Sequence, residues 1–203
     1  MIYVATRRVG DHVWARMVEG ILPNLQQVAP LSETGRREHS FSGPMMTRWL
    51  VPIDDTHTMF IELRHLSETD DNPPWWVDRS QMMPGQIAMD SYEESQRHPG
   101  DYEAQVSQRP IAIHGLEHLS ETDRGVSMFR NQVRRGIRAV RAGKDPAGLV
   151  REEGVMTATY CNNTVLHMPA PADEAADKKM MREAGMRLAK GYLAHPPLLA
   201  AAE

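Results

Sequence analysis

Thr122-Asp-Arg-Gly-Val-Ser-Met-Phe-Arg-Asn-Gln-Val-Arg-Arg-Gly-Ile-Arg-Ala-Val-Arg-Ala142 is the most regular stretch of the chain. Val126, Phe129, Val133, Ile137 and Val140 recur at helical spacing. Thr122 is a candidate N-cap, Asp123 suits the first turn, and Gly143 followed by Pro146 closes the segment. The spacing predicts one long amphipathic helix. Arg130, Arg134, Arg135, Arg138, Arg141 and Lys144 follow with no acidic residue after Asp123. Two readings fit that charge: a basic groove-binding helix, or a solvated face whose late positive charges suit the C-terminal dipole.

Upstream the pattern changes period. Ile2 to Arg8 and His12 to Glu19 are extended runs joined by Gly10-Asp11, a tight-hairpin pair. Met46 to Ile53 and His57 to His65 form a second pair around Asp54-Asp55-Thr56. In the latter run Met59, Ile61 and Leu63 alternate with Phe60, Glu62 and Arg64, so at least one face is half solvated. Pro52 suggests an edge strand or a bulge. From Asp71 to Pro99 the chain reads as irregular, with Asn72-Pro-Pro-Trp-Trp and Met82-Met-Pro-Gly as punctuation, and such a stretch suits a lid or binding loop. A short helix is expected between Gly100 and Pro110, one or two weak strands over 151–168, and a second amphipathic helix from Asp173 to Lys190 carrying Ala176, Met180, Ala184 and Leu188. Sheet first and helices after is the order of an α+β fold, a curved antiparallel sheet gripping a long C-terminal helix. The gripped helix is expected to be Thr122–Ala142, with residues 1–146 as the domain and 147–203 as an extension. His65-Leu-Ser-Glu-Thr-Asp70 recurs as His118-Leu-Ser-Glu-Thr-Asp123, but the flanks differ, so it is read as shared turn and cap composition.

Composition narrows the function classes. One cysteine in 203 residues excludes an intrachain disulfide and the thiolate sets of an iron–sulfur cluster or a Cys-rich zinc knuckle within this stretch. A net charge of −4 argues against a generally basic nucleic-acid binder. No run approaches the roughly 18 apolar residues of a membrane helix, and Met1-Ile-Tyr-Val-Ala-Thr-Arg-Arg has no apolar signal core, so a cytoplasmic location is expected. Cys161 reads as a small buried residue.

Three constellations carry candidate chemistry. His114-Gly-Leu-Glu117-His118 matches an inverted zinc-peptidase string, but Gly115 falls inside the helix that chemistry needs. Asp101, after Pro99-Gly100, is either an N-cap carboxylate or a metal ligand displayed at a helix start. Asp101, His114 and His118 together have the composition of a two-histidine, one-carboxylate facial triad.

Asp101-Tyr-Glu-Ala-Gln-Val-Ser-Gln-Arg-Pro-Ile-Ala112, Glu117-His-Leu and Asp123-Arg-Gly-Val-Ser-Met-Phe-Arg130 resemble the C-terminal catalytic region of Rieske non-haem iron oxygenases. The likeness is to large (alpha) subunits of the phthalate 4,5-dioxygenase and phenoxybenzoate dioxygenase type. Pro44-Met-Met-Thr-Arg-Trp-Leu-Val-Pro-Ile-Asp-Asp-Thr-His-Thr58 and Arg141-Ala-Gly-Lys-Asp-Pro146 extend it over about residues 1 to 146. The resemblance implies a helix-grip fold of the Bet v 1/START kind, here incomplete. It also implies O2-dependent hydroxylation or demethylation of an aromatic, anionic substrate at a mononuclear Fe(II). Asp101 would be the carboxylate ligand, and Glu117, His118 and Asp123 would be mainly structural. Trp49, Val51, Met59, Ile61 and the loop Trp75 to Met83 are then candidates for lining the aromatic pocket. His114 stands where the family usually has Arg, Arg109 where it has Gly, and Gln105 where it has Trp. The histidine ligands and the Rieske [2Fe–2S] domain belong to an upstream part of the family pattern that these residues do not contain. The implied partners are O2, the aromatic substrate, a reductase or ferredoxin donor and further copies in a trimer, with no nucleic acid and no membrane. The expectation is a truncated chain, inactive alone. Two alternatives stay open: a non-catalytic ligand-binding module, and a self-contained metal enzyme built on Asp101, His114 and His118.

Overall fold

The computed structural model describes residues 1–31, 33–66, 85–155 and 158–196. The expected loop Trp75 to Met83 lies outside the described residues, as does part of the first copy of the repeated hexapeptide. Among these residues six antiparallel strands form one open sheet: β1 (Ile2–Val9), β2 (His12–Ile21), β3 (Leu25–Val28), β4 (Met46–Pro52), β5 (Thr58–Arg64) and β6 (Asn162–His167). Among the described residues four α-helices accompany it: α1 (Tyr92–Arg97), α2 (Asp101–Val106), α3 (Arg124–Arg141) and α4 (Glu174–Ala194). The α+β class and the sheet-plus-long-helix plan match the sequence reading.

Both expected hairpins form. Val9 pairs with His12 across Gly10-Asp11, and Gly10 takes φ +57°, a left-handed conformation natural to glycine. In the second, β4 pairs with β5 from Met46↔Arg64 to Pro52↔Thr58. β4 lies between β3 and β5, so it is not an edge strand as a whole. β3 pairs only as far as Trp49, however, so Pro52 sits where that side of β4 is locally unpaired and its missing N–H costs no ladder bond.

β2 organises the core. One of its edges pairs with β1; the other is shared by β6, against His12–Met17, and β3, against Glu19–Ile21. Residues 162–167, in the stretch expected as an extension, therefore add a strand to the sheet itself. Val13, Ala15 and Met17 of β2 and Val165 of β6 are fully buried. Polar side chains buried between β2 and β6 are bonded: Trp14 Nε1 donates to Asn163 Oδ1 (2.9 Å), and Asn163 Nδ2 donates to the Pro30 carbonyl (2.8 Å). Cys161 is buried as expected, and burial pushes its thiol pKa up to about 12, which leaves it a poor nucleophile.

The helix in the grip is a correction to the sequence reading. α4, not Thr122–Ala142, lies along β1 and β2. Asp173 caps it by accepting from the Ala176 N–H (2.8 Å), and Ala184 and Gly185 are its buried residues. A Cβ at Gly185 would stand 2.9 Å from Thr6 Cγ2, so absence of a side chain is what brings helix and strand together. Arg8 of β1 pairs with Asp177 of α4, and the Tyr192 hydroxyl donates to the Ser40 carbonyl. α3 meets the sheet differently. Its first turns lean on Tyr3, where a Cβ at Gly125 would be 2.8 Å from the ring. Tyr3 alternates with Val4 and Thr6, so α3 and α4 occupy opposite faces of β1. No residue of α3 is buried; Ile137 and Val140 are 47% and 62% exposed.

Candidate functional site

Asp101 opens α2, and what places it is backbone. A Cβ at Gly100 would lie 2.5 Å from Gly85 Cα, so two bare backbones touch where the 85–86 turn meets the helix start. Gly85 itself adopts φ +78°, and Tyr102 N–H closes the joint on the Gly85 carbonyl (2.9 Å). The capping carboxylate is not Asp101. Glu103 reaches back to accept from the Gly100 N–H (2.8 Å), and that bond holds its pKa below the usual carboxylate range. Asp101 is thereby released from cap duty. Its Oδ2 accepts from Gln86 Nε2 (2.7 Å), while Oδ1 has no partner among the described residues.

The other sequence candidates resolve into structural roles. His114–Leu116 is a single 3₁₀ turn and Glu117 is extended at φ −80°, ψ 139°, so the H-x-x-E-H string never shares one helix. Arg130 Nη1 and Nη2 donate to the two oxygens of Glu117 (2.6 and 2.8 Å), tying this segment to α3. That pairing lowers the Glu117 pKa and raises that of Arg130. Asp123 accepts from the Ser120 N–H (2.9 Å) and hydroxyl (3.0 Å), and those bonds lower its pKa. The structure does not bring Asp101, His114 and His118 together: among the described residues no group of three or more His, Cys, Asp or Glu side chains gathers to hold a metal ion. His114 opens the 3₁₀ turn and His118 follows Glu117, which Arg130 pins, whereas Asp101 is set by the Gly85–Gly100 joint.

Trp49 and Ile61, and Val51 and Met59, are cross-strand pairs on one face of β4–β5, with Met59 and Ile61 about half exposed. The feature that sequence reasoning located without explaining is Arg109. It is the one non-glycine residue at positive φ (+73°) among the described residues, in the turn that follows α2 and just before Pro110. The turn thus keeps the left-handed conformation that a glycine would adopt freely, and an arginine bears its strain.

No family model matches the chain. Relatives do. The chain is 38% identical over 196 residues to the tert-butanol monooxygenase / tert-amyl alcohol desaturase oxygenase subunit of Aquincola tertiaricarbonis, covering 91% of this chain and 40% of that subunit. It is 30% identical over 151 residues to the phenoxybenzoate dioxygenase subunit alpha of Ectopseudomonas oleovorans, covering 73% of this chain and 34% of that subunit. The chain is a homologue of oxygenase alpha-type subunits. This oxygenase homologue spans two fifths or less of the length of the relatives it matches. The longer alignment runs across 91% of the chain, more than the 1–146 span over which the sequence resemblance was drawn. Among the described residues no helix of this oxygenase homologue is long and apolar enough to cross a membrane.

Proposed function

We propose that these residues are part of the catalytic domain of an aromatic ring-hydroxylating oxygenase that hydroxylates or demethylates an anionic aromatic substrate with O2 at a mononuclear iron. Alignment with oxygenase subunits over most of the chain is the observation that carries the reading. The geometry of Asp101 supports its part as the carboxylate donor. It is held at a helix start by a backbone lock, it does not cap the helix, and Oδ1 is unclaimed among the described residues.

An iron does not fit the described residues alone. One monodentate carboxylate cannot hold Fe(II) against water, and the facial arrangement needs two imidazoles as well. The proposal therefore takes both histidines and the [2Fe–2S] cluster from outside these residues, with electrons arriving from a reductase or ferredoxin and the complete enzyme a trimer. The chain by itself is then inactive. The identity to a subunit named for tert-butanol and tert-amyl alcohol supports a second substrate class, a branched alcohol, under the same oxygenase reading.

Sequencing the genomic DNA upstream of the Met1 codon tests the proposal. In-frame codons for C-x-H and C-x-x-H pairs, followed by a helix bearing two spaced histidines, are expected. A stop codon with a ribosome site beside Met1 would overturn it. In the complete reading frame, Asp101→Ala is expected to abolish both bound iron and substrate-dependent O2 uptake.

A further inference from the structure

The β4–β5 turn and the segment after α2 face each other across an open cleft of about 540 Å³ lined by Thr56, His57, Val106, Arg109 and Pro110. Its volume lies within the usual range of small-ligand sites. Val106 and Pro110 supply apolar wall, Thr56 a hydroxyl, His57 an imidazole and Arg109 the one permanent charge. Three observations converge on Arg109. It carries left-handed backbone strain that glycine would avoid, and strain of that kind gathers at functional sites. Its guanidinium has no ion pair or hydrogen bond among the described residues. Arg109 also borders a second hollow of about 320 Å³ with Glu117, yet both oxygens of Glu117 are taken by Arg130, so that carboxylate does not neutralise it. On the turn opposite, Asp54 is similarly committed, accepting from the Thr56 and His57 N–H groups (each 2.8 Å) and meeting His57 Nδ1 (2.9 Å).

We propose that this cleft is a carboxylate-binding site in which Arg109 grips the anionic group of a small ligand while Val106 and Pro110 pack its apolar body. A planar guanidinium matches a carboxylate with two parallel N–H···O bonds, a geometry that lysine cannot copy. Calling the occupant the substrate rests on the oxygenase reading; binding itself does not, and it is measured without turnover.

The experiment is a calorimetric titration of the chain with benzoate and, separately, with the neutral benzyl alcohol. Wild-type protein is expected to bind benzoate in preference to benzyl alcohol. Arg109→Gly is expected to weaken benzoate roughly ten- to a hundredfold, the loss of a charge-assisted pair, and to leave benzyl alcohol unchanged. Arg109→Lys should retain only part of the affinity. Because glycine suits the left-handed backbone, Arg109→Gly should melt at the wild-type temperature or above, which separates lost binding from lost folding. Equal binding of the two probes, absence of benzoate binding, or undiminished benzoate binding by Arg109→Gly would each overturn the site. Failure of the oxygenase reading alone, seen as an upstream stop codon, leaves the titration as expected.

Discussion

The two helices that flank β1 show opposite ways of using a sheet. α4 settles on β1 and β2 through Ala184 and Gly185, both buried, and is tied down by Arg8–Asp177 and by Tyr192. α3 touches the other face only near Tyr3, buries nothing, and is fixed through the two-pronged Glu117–Arg130 pair. α1 and α2 likewise have no buried residue. Burial builds the scaffold, whereas local caps, ion pairs and backbone locks build the region from Gly85 to Arg141 that holds Asp101 and Arg109. A region without a buried core opens at lower cost than the sheet, as binding segments commonly do.

That contrast breaks or sharpens under substitution. Met17→Ala, at a fully buried β2 position, should cost about 2–5 kcal/mol by chemical denaturation. Gly185→Val forces a side chain against Thr6 and Val4 and should cost about 1–3 kcal/mol through overpacking. A response to acid comes next and should stay local. Glu117 has a depressed folded pKa, so its contribution is present above its unfolded value near 4.3 and is lost as pH falls through the lower folded value. Amide exchange in the first turns of α3 should accelerate across that interval while β2 stays protected, and Glu117→Gln should reduce the pH dependence to the part that Asp123 carries through its bonds to Ser120. Val140→Ser, on the exposed stripe of α3, should change stability by less than about 0.5 kcal/mol. If Val140→Ser proves as costly as Met17→Ala, the division between scaffold and site region is wrong.

Legibility in the sequence follows the same division. The hairpins were readable because period-two alternation and turn residues at 10–11 and 54–56 are local signals. The gripped helix was misassigned for a physical reason. α3 advertises itself with large apolar residues against arginines, while α4 packs through Ala184 and Gly185, whose value lies in what they lack. Small-residue packing leaves little trace in a hydrophobic pattern. β6 is likewise only a weak strand by pattern, since Asn162, Asn163 and Thr164 are buried polar residues, and Asn163 and Thr164 find partners at Pro30 and Ser40, far away in the chain. At the site, Asp101 was reached through a resemblance. Its release by Glu103 and its bond to Gln86 depend on a fold-level joint between Gly85 and Gly100 that no spacing rule encodes. Arg109 was flagged as standing where glycine is usual, and its positive φ gives the reason.

The pairing of β2 with β6 also sets a schedule for the ribosome. β2 is complete at residue 21, but the strand that covers its His12–Met17 edge is not made until residue 167. At ordinary elongation rates of ~5–20 residues per second, that edge waits on the order of ten seconds for its partner. An unpaired strand edge in a nascent chain invites pairing with its neighbours on the same message. Crowded polysomes, rather than the finished protein, are then where this fold is most exposed to aggregation.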